Sequence, residues 1–392
     1  LIILDRPYVS ELLADTISKN KIPVIKLNEV FIPNESTINL KKVDDLLIEL
    51  EKGNSPILFN SENGLNILSK YAPNHYLTTV TDILKNKVTF RKTLSRHYTD
   101  FFFTEVSLKE LEELEELDPS ALPFPIIVKP VIGYSSIGVH RIDKVEEYKE
   151  TIKQLKFEME VTSSEYPIEV INNQSFIIEK LIEGDEYAVD VYFTEDGEPV
   201  ILNLFKRMFR HEKDMSDRIY YTSKQVINES LNKIQEFLRT ISSFFALKSA
   251  PIHIEIRIDK DQIVPIEVNP LRFAGIGTNE LGVHAYGVNA CEYFFKQEKP
   301  DWENIVNQMD DSIYSFCCAE IDASIDCKQV VSINHEAFKL NFGEILEYRP
   351  MNVNESSTFA VIFHKSPDLN ENRRLLNLDL NQYITLKEMV FV

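Results

Sequence analysis

Glycine is scarce in this chain, with 11 residues among 392, where average usage of about 7% would give roughly 27. So sparing a sequence places glycine where the backbone needs positive φ or where a ligand comes close. Gly133 and Gly138 share one short segment, and Gly275, Gly277, Gly282 and Gly287 follow Asn269 in another. Cysteine is scarcer, at 291, 317, 318 and 327, with no C-x-x-C pair. Buried free thiols in a reducing cytoplasm are expected. No apolar run approaches the ~18 residues of a membrane helix. The opening Leu1-Ile2-Ile3-Leu4-Asp5 has neither a basic n-region nor a long apolar h-region, so neither a membrane nor a secretory route is expected. Cations are in deficit, 42 Lys+Arg against 62 Asp+Glu for a net −20, which argues against a duplex-DNA binder and for no nucleic-acid partner.

Hydrophobic residues make up 44% and charged residues 27%, ordinary globular usage that excludes wholesale disorder. The length suits two or three packed domains. Residues 1–85 alternate short apolar runs (1–4, 23–27, 56–60) with helical spacing (9–18, 64–71), which predicts a small parallel α/β unit. Beyond residue 86, helices are expected at 87–96, 107–117 and 144–156. Strands are expected at 124–130, 175–180, 186–193 and 199–205. A charged loop at 206–221 precedes an amphipathic helix at 224–245, then strands at 252–258 and 263–268. The tail from about 310 reads as a small α+β appendage.

The pair 252–258 and 263–268 carries the first chemical signal. A turn near residues 260–261 puts Glu255 opposite Glu267 to within one residue, and Glu267 and Asn269 face the same side. Like charges directly opposite one another cost stability, and apolar neighbours add a desolvation cost. A hard cation such as Mg²⁺ resolves both; a solvated strand face with Glu267 paired to a nearby Lys or Arg is the alternative. The second signal is Lys129-Pro130-Val131-Ile132-Gly133-Tyr134-Ser135-Ser136-Ile137-Gly138-Val139, small residues after a strand that can surround an anion. It matches neither G-x-x-x-x-G-K-[ST] nor G-x-G-x-x-G, and an ordinary structural turn is the competing reading.

These segments, in this order, resemble the ATP-grasp superfamily, specifically its carboxylate–amine ligases, from about residue 87 to 295. The matching parts are K-P-V-I-G-Y-S-S-I-G-V after the strand at 126–129, then Phe176-Ile177-Ile178-Glu179-Lys180-Leu181-Ile182-Glu183-Gly184-Asp185-Glu186, then Ile254-Glu255-Ile256, then Ile266-Glu267-Val268-Asn269-Pro270. The resemblance implies an α/β (α+β) fold. It would comprise an N-terminal α/β domain (1–85), a small ATP-grasp subdomain with the phosphate flap (86–182), a large subdomain with the metal site (183–305), and a C-terminal appendage (306–392). The two subdomains would clasp ATP. The Glu-Val-Asn-Pro-Leu-Arg run is most like the amino-acid-ligase branch.

Carried over by position, the resemblance implies that Lys129 contacts the α/β-phosphates. Lys87 is implied as the second nucleotide lysine, with Lys85, Arg91 and Lys92 as rivals for that contact. Gly133, Ser135, Ser136 and Gly138 would form the flap. Glu179 would accept from the adenine amine, with main-chain groups of Lys180, Leu181 and Ile182 beside it, and Glu186 would bind the ribose. Glu255, Glu267 and Asn269 would hold two Mg²⁺ ions, for which Mn²⁺ can substitute, and Arg272 would steady an acyl phosphate. The implied activity is ADP-forming joining of a carboxylate to an amine, both small molecules, in a cytoplasmic protein; dimers are common among relatives. The alternatives are a phosphotransferase that stops at kinase chemistry, and an ATP-binding module without catalysis.

The charged loop is the candidate for substrate selection. Lys206 or Arg207 would touch the γ-phosphate, and Arg210 or Arg218 would pair with a substrate carboxylate as a fork. Interleaved Glu212, Asp214 and Asp217 equally allow a solvated loop. Gly275 and Gly277 are candidates for close substrate approach. His253 shares a face with Glu255, as a partner of the metal ligands or as a packed histidine. His284 reads as packed rather than as a base.

Overall fold

The computed structural model describes residues 1–52, 56–117, 119–132, 138–162, 175–214, 216–322, 324–353 and 356–387. Gly133, Ser135 and Ser136 of the expected flap lie outside the described residues. Two compact units form, Leu1–Thr78 with Asp185–Val392, and Thr79–Gly184.

The first unit begins with a parallel sheet ordered Leu40–Lys41, Val24–Lys26, Ile2–Leu4, Leu58–Phe59. Three of these strands follow the expected apolar runs. Leu40–Lys41 does not, because two partly exposed residues carry no readable alternation. The helix Glu11–Asn20 starts at Ser10, whose hydroxyl accepts from the Leu13 N–H at 2.9 Å and so satisfies one of its unpaired first-turn donors.

The larger sheet of this unit has eight antiparallel strands. Their order is Gln262–Pro270, Ala250–Asp259, Asp185–Phe193, Pro199–Met208, Ile219–Thr222, Ile313–Glu320, Thr358–Ser366, Glu344–Pro350. The sheet runs across the expected 305/306 boundary, since the last three strands continue it. Across 206–221 the structure departs from the expected loop. Lys206 and Arg207 lie on a strand, facing Tyr221 and Tyr220 across the ladder, and only 209–218 connects the two strands. The helix Lys224–Phe245 matches its expected bounds, capped by Ser223 and burying a stripe from Val226 to Phe245. The parallel and antiparallel sheets share one core, in which Ile2, Leu4 and Val24 meet Tyr192, Leu202 and Phe294.

The second unit is a four-stranded antiparallel sheet ordered Phe103–Ser107, Ser175–Lys180, Ile126–Pro130, His140–Ile142. Both edge strands escape the sequence pattern, being half-exposed. Its helices are Lys87–Leu94, Leu108–Leu117 and Val145–Thr162. Leu111, Tyr148, Ile152 and Leu155 cover one sheet face through Ile126, Val128, Phe176 and Ile178. No helix among the described residues is long and apolar enough to cross a membrane.

Candidate active site

In the Thr79–Gly184 unit the other sheet face sets charged side chains beside a small apolar cluster of Val88, Val131 and Ile177. Strand register pairs Ile127 with Glu179 and Lys129 with Ile177, so Lys129 and Glu179 are diagonal neighbours on one face. Lys129 Nζ lies 2.6 Å from Glu179 Oε2, and Arg91 Nε, from the helix Lys87–Leu94, lies 2.5 Å from Oε1. All three side chains are buried. Burial pushes the Glu179 carboxyl up, but Arg91 and Lys129 outweigh it and hold its pKa at about 2. Burial lowers the Lys129 pKa against the pull of Glu179, with Arg91 and Lys87 adding to the lowering. Two cations therefore share one carboxylate while Lys87 acts on Lys129, an excess of positive charge suited to an anion.

Two nucleotide assignments change here. Glu179 has both oxygens committed to cations, because buried Lys129 and Arg91 need a counter-charge; it positions Lys129 rather than meeting an adenine amine. Arg91 drops out as a phosphate contact for the same reason. Lys92 is exposed, 3.7 Å from Glu105, whereas Lys87 stands beside Lys129. The N–H groups of Lys180 and Leu181 donate to the Phe102 and Pro125 carbonyls at 3.0 and 2.9 Å, so neither N–H is left for an adenine. Ile182 is partly buried and Gly184 has φ of 100°. Gly138 has φ of 71°, and a Cβ there would meet Pro130 and Met159 at 3.1 and 3.2 Å.

In the first unit, Glu255 faces Glu267 directly and His253 faces Asn269. Burial raises the Glu255 pKa, and Glu267 and Glu186 raise it further against the opposing His253. The Asn269 amide donates to Glu267 Oε1 at 3.1 Å. Behind this face, His253 Nδ1 lies 2.8 Å from Asp190 Oδ1 and its Nε2 lies 3.7 Å from Glu255. Burial lowers the His253 pKa, but Asp190 and Glu255 overcome it and lift it to about 9. The ring is thus cationic at neutral pH and bridges the two acids. Asp190 also accepts from the Asn203 amide and the Ala274 N–H, each at 2.8 Å, tying the strand to the loop after Asn269. Sequence reasoning missed Asp190; an acid between Val189 and Val191 on an apolar strand was its signal.

The residues fit a hard cation. Among the described residues no three His, Cys, Asp or Glu side chains stand together as a metal site. Two carboxylates and an amide are instead an incomplete oxygen set, of the kind that Mg²⁺ completes with phosphate oxygens and water.

The remaining candidates divide. Glu186, expected at a ribose, is buried between Arg207 Nη1 at 2.7 Å and Arg257 Nη2 at 3.0 Å. Two arginines compensate its burial, so it is not presented to hydroxyls. Arg207 also meets Asp217 at 3.1 Å and the Ser216 carbonyl at 3.0 Å, which makes it part of this internal network rather than a γ-phosphate contact. Lys206 pairs with exposed Asp185 at 2.6 Å, a surface pair of little strength. Arg210 is exposed. Arg218 is not a substrate fork: its Nη1 donates to the carbonyls of Leu376 and Leu378, each at 3.0 Å. It caps the end of the helix Asn370–Leu376, where a cation satisfies unpaired carbonyls. Arg218→Ala is therefore expected to cost about 1–3 kcal/mol in urea denaturation and to leave substrate preference unchanged; altered preference at full stability would restore the fork.

Arg272 pairs through Nη2 with Glu62 and through Nη1 with the Phe273 carbonyl at 3.0 Å. Its buried Nε has no hydrogen-bond partner among the described residues. A Cβ on Gly275 would meet Arg272 at an ordinary 3.9 Å, whereas Gly277, with φ of 79°, leaves only 2.9 Å to Arg349 Nη1. His284 packs on Phe363 and bonds to Glu347, as a structural histidine does.

Comparison with known proteins follows from this geometry. The sequence model of the ATP-grasp domain matches residues 122–280. Over these residues the chain is similar to an ATP-grasp domain. A D-alanine–D-alanine ligase of Corynebacterium jeikeium is 25% identical over 234 residues, 54% of this chain and 57% of that relative. Among solved structures, an L-amino acid ligase from Bacillus licheniformis shares the fold with a TM-score of 0.67 at 16% identity, covering 98% of both chains. N5-carboxyaminoimidazole ribonucleotide synthetase from Thermotoga maritima gives 0.61 at 14% identity, again over 98% of both. The matched region thus includes the strand Ile126–Pro130, Glu179, and the whole carboxylate ladder through Asn269. The architecture of the chain is the ATP-grasp fold.

Proposed function

We propose that this protein is an ADP-forming ligase that joins the carboxylate of an amino acid or small peptide to an amine, using Mg-ATP. The observation that carries the reading is the Glu255–Glu267 pair with Asn269. This oxygen set is costly unless a cation is present and incomplete unless phosphate oxygens join it. The relatives whose names record amino-acid or D-alanine ligation support the substrate class.

Two Mg²⁺ ions, when bound, would neutralise charge on the phosphoryl group in transfer. The chain's own residues supply the rest. Lys129 and Lys87 offset phosphate charge, while Glu179 and Arg91 hold Lys129 in place at little reorganisation cost. Glu255 and Glu267 hold the cations, and protonated His253, fixed by Asp190, restrains Glu255. Lys206 is proposed to assist at the γ-phosphate and Arg210 at a substrate carboxylate. Arg272 is proposed to steady the acyl phosphate before the amine displaces phosphate from its carbonyl carbon.

Hydroxylamine tests this reading, because it traps an acyl phosphate as a hydroxamate. Pooled carboxylic and amino acids with Mg-ATP are expected to yield ADP and, with hydroxylamine, a coloured hydroxamate. ADP without hydroxamate would assign a phosphotransferase, and no ADP from any pool would end the catalytic reading.

A further inference from the structure

Next along the chain from Asn269, within the same unit, lies a cavity of about 40 Å³ lined in part by Tyr8, Ser10, Phe273, Ile276, Glu280 and Cys291. That is room for about three water-sized groups. Glu280 is buried, with its side chain 8% exposed. Its Oε1 accepts from the Ser10 hydroxyl. Its Oε2 lies 2.6 Å from Arg349 Nη1, yet neither atom has an aligned hydrogen-bond partner among the described residues.

Arg349 is already neutralised elsewhere. Its Nε and Nη2 fork onto Glu347 at 2.6 and 2.8 Å, and His284 supports the same carboxylate at 3.0 Å. One guanidinium thus faces two carboxylates, in aligned bonds to Glu347 but out of alignment with Glu280 at the cavity wall. Burial raises the Glu280 pKa, with Arg349 and Ser10 opposing. The wall is also strained: Ile276, a β-branched residue, has φ of 53°, and Gly277 follows at 79°. Left-handed β-branched residues persist only where surrounding structure holds them, commonly at binding sites.

We propose that this cavity holds the α-ammonium of the amino acid whose carboxylate is activated, with Glu280 as its anchor. The inference rests on the ligase reading above for its substrate and deepens it. An ammonium supplies a charged, aligned donor for Oε2. A carboxylate anchor keeps an amine protonated, hence non-nucleophilic, so the group held is the ammonium of the activated acid and not the attacking amine. Ser10 and Arg349 orient the anchor, and Gly277 lets Arg349 come close.

The test is calorimetry on the full chain, without ATP, with glycine, alanine and serine, each against its counterpart lacking the ammonium: acetate, propionate and 3-hydroxypropionate. At least one amino acid is expected to bind, its counterpart about 100-fold more weakly. Glu280→Gln is expected to lose about the same factor in affinity. It should raise the KM for that amino acid in the hydroxamate assay while leaving the KM for ATP within about twofold. Ser10→Ala, which keeps the charge, is expected to lose about tenfold or less. Equal binding of both members of every pair, binding of none, or wild-type affinity in Glu280→Gln overturns the proposal. If Glu280→Gln does not melt cooperatively, the wild-type pairs and Ser10→Ala decide. Binding lost in Glu280→Gln, with no hydroxamate from any acid, keeps the cavity and ends the ligase reading. Hydroxamate formed equally well from acids without an ammonium keeps the ligase and ends the cavity.

Discussion

Glu267→Gln is expected to lower ADP formation by about a thousandfold while leaving the melting temperature equal to or above that of the native chain. The two effects point in opposite directions for one physical reason. Glu255 and Glu267 face each other directly, and Glu267 makes the charge on Glu255 costlier in a partly buried setting. Removing one charge relieves a cross-strand repulsion of about 0.2–1 kcal/mol. It also removes one of the few oxygens available to a cation. A solvated strand face would give neither result: its loss would leave turnover intact. Steady-state ADP release and a circular-dichroism melt of the same preparation are sufficient. Wild-type turnover would remove the metal assignment, and a large drop in stability would show the pair to be structural.

Glu179→Gln is expected to destabilise the protein by about 3–5 kcal/mol, because it leaves Arg91 and Lys129 buried against a neutral amide. The native carboxylate makes a pH-dependent contribution whose sign follows from its depressed pKa. The folded value of about 2 lies below the ordinary 4.5. The stabilisation, about 3 kcal/mol by linkage, is therefore fully present above about pH 4.5 and lost as pH falls toward 2. Urea denaturation across this range is expected to show stability rising with pH in the native chain and a flatter dependence in Glu179→Gln. Identical slopes would mean that Glu179 is not held ionised by its two cations. The variant also tests positioning: with Lys129 released, the KM for ATP is expected to rise.

Much of the scaffold was legible because it rests on local chemistry. The helix Lys224–Phe245 is bounded by a serine cap and a continuous apolar stripe, both written in consecutive residues. The Glu255–Glu267 register follows from counting outward from a turn, since side chains alternate strictly along strands. Gly277 was singled out by composition, and its φ of 79° with a 2.9 Å gap to Arg349 gives that choice a steric cause. The edge strands Phe103–Ser107 and His140–Ile142 were not legible, because half-exposed segments have no apolar period to read.

The fates of the charged residues were beyond sequence alone. Nothing in the local sequence of Arg91, Arg207, Arg218 or Arg272 tells their fates apart. Arg91 is consumed by Glu179, 88 residues away; Arg207 by Glu186; Arg218 by carbonyls some 160 residues on; Arg272 is held by Glu62, 210 residues back, yet keeps a buried Nε without a hydrogen-bond partner among the described residues. A charge takes whichever counter-charge or carbonyl the fold brings within about 3 Å, and nothing periodic announces that choice. Element order, the carboxylate ladder and the ATP-grasp resemblance were therefore readable from residue order and alternation. Which cations remain for phosphate, and that Glu280 lines a cavity with its Oε2 out of alignment with Arg349, emerged when long-range packing brought distant side chains together.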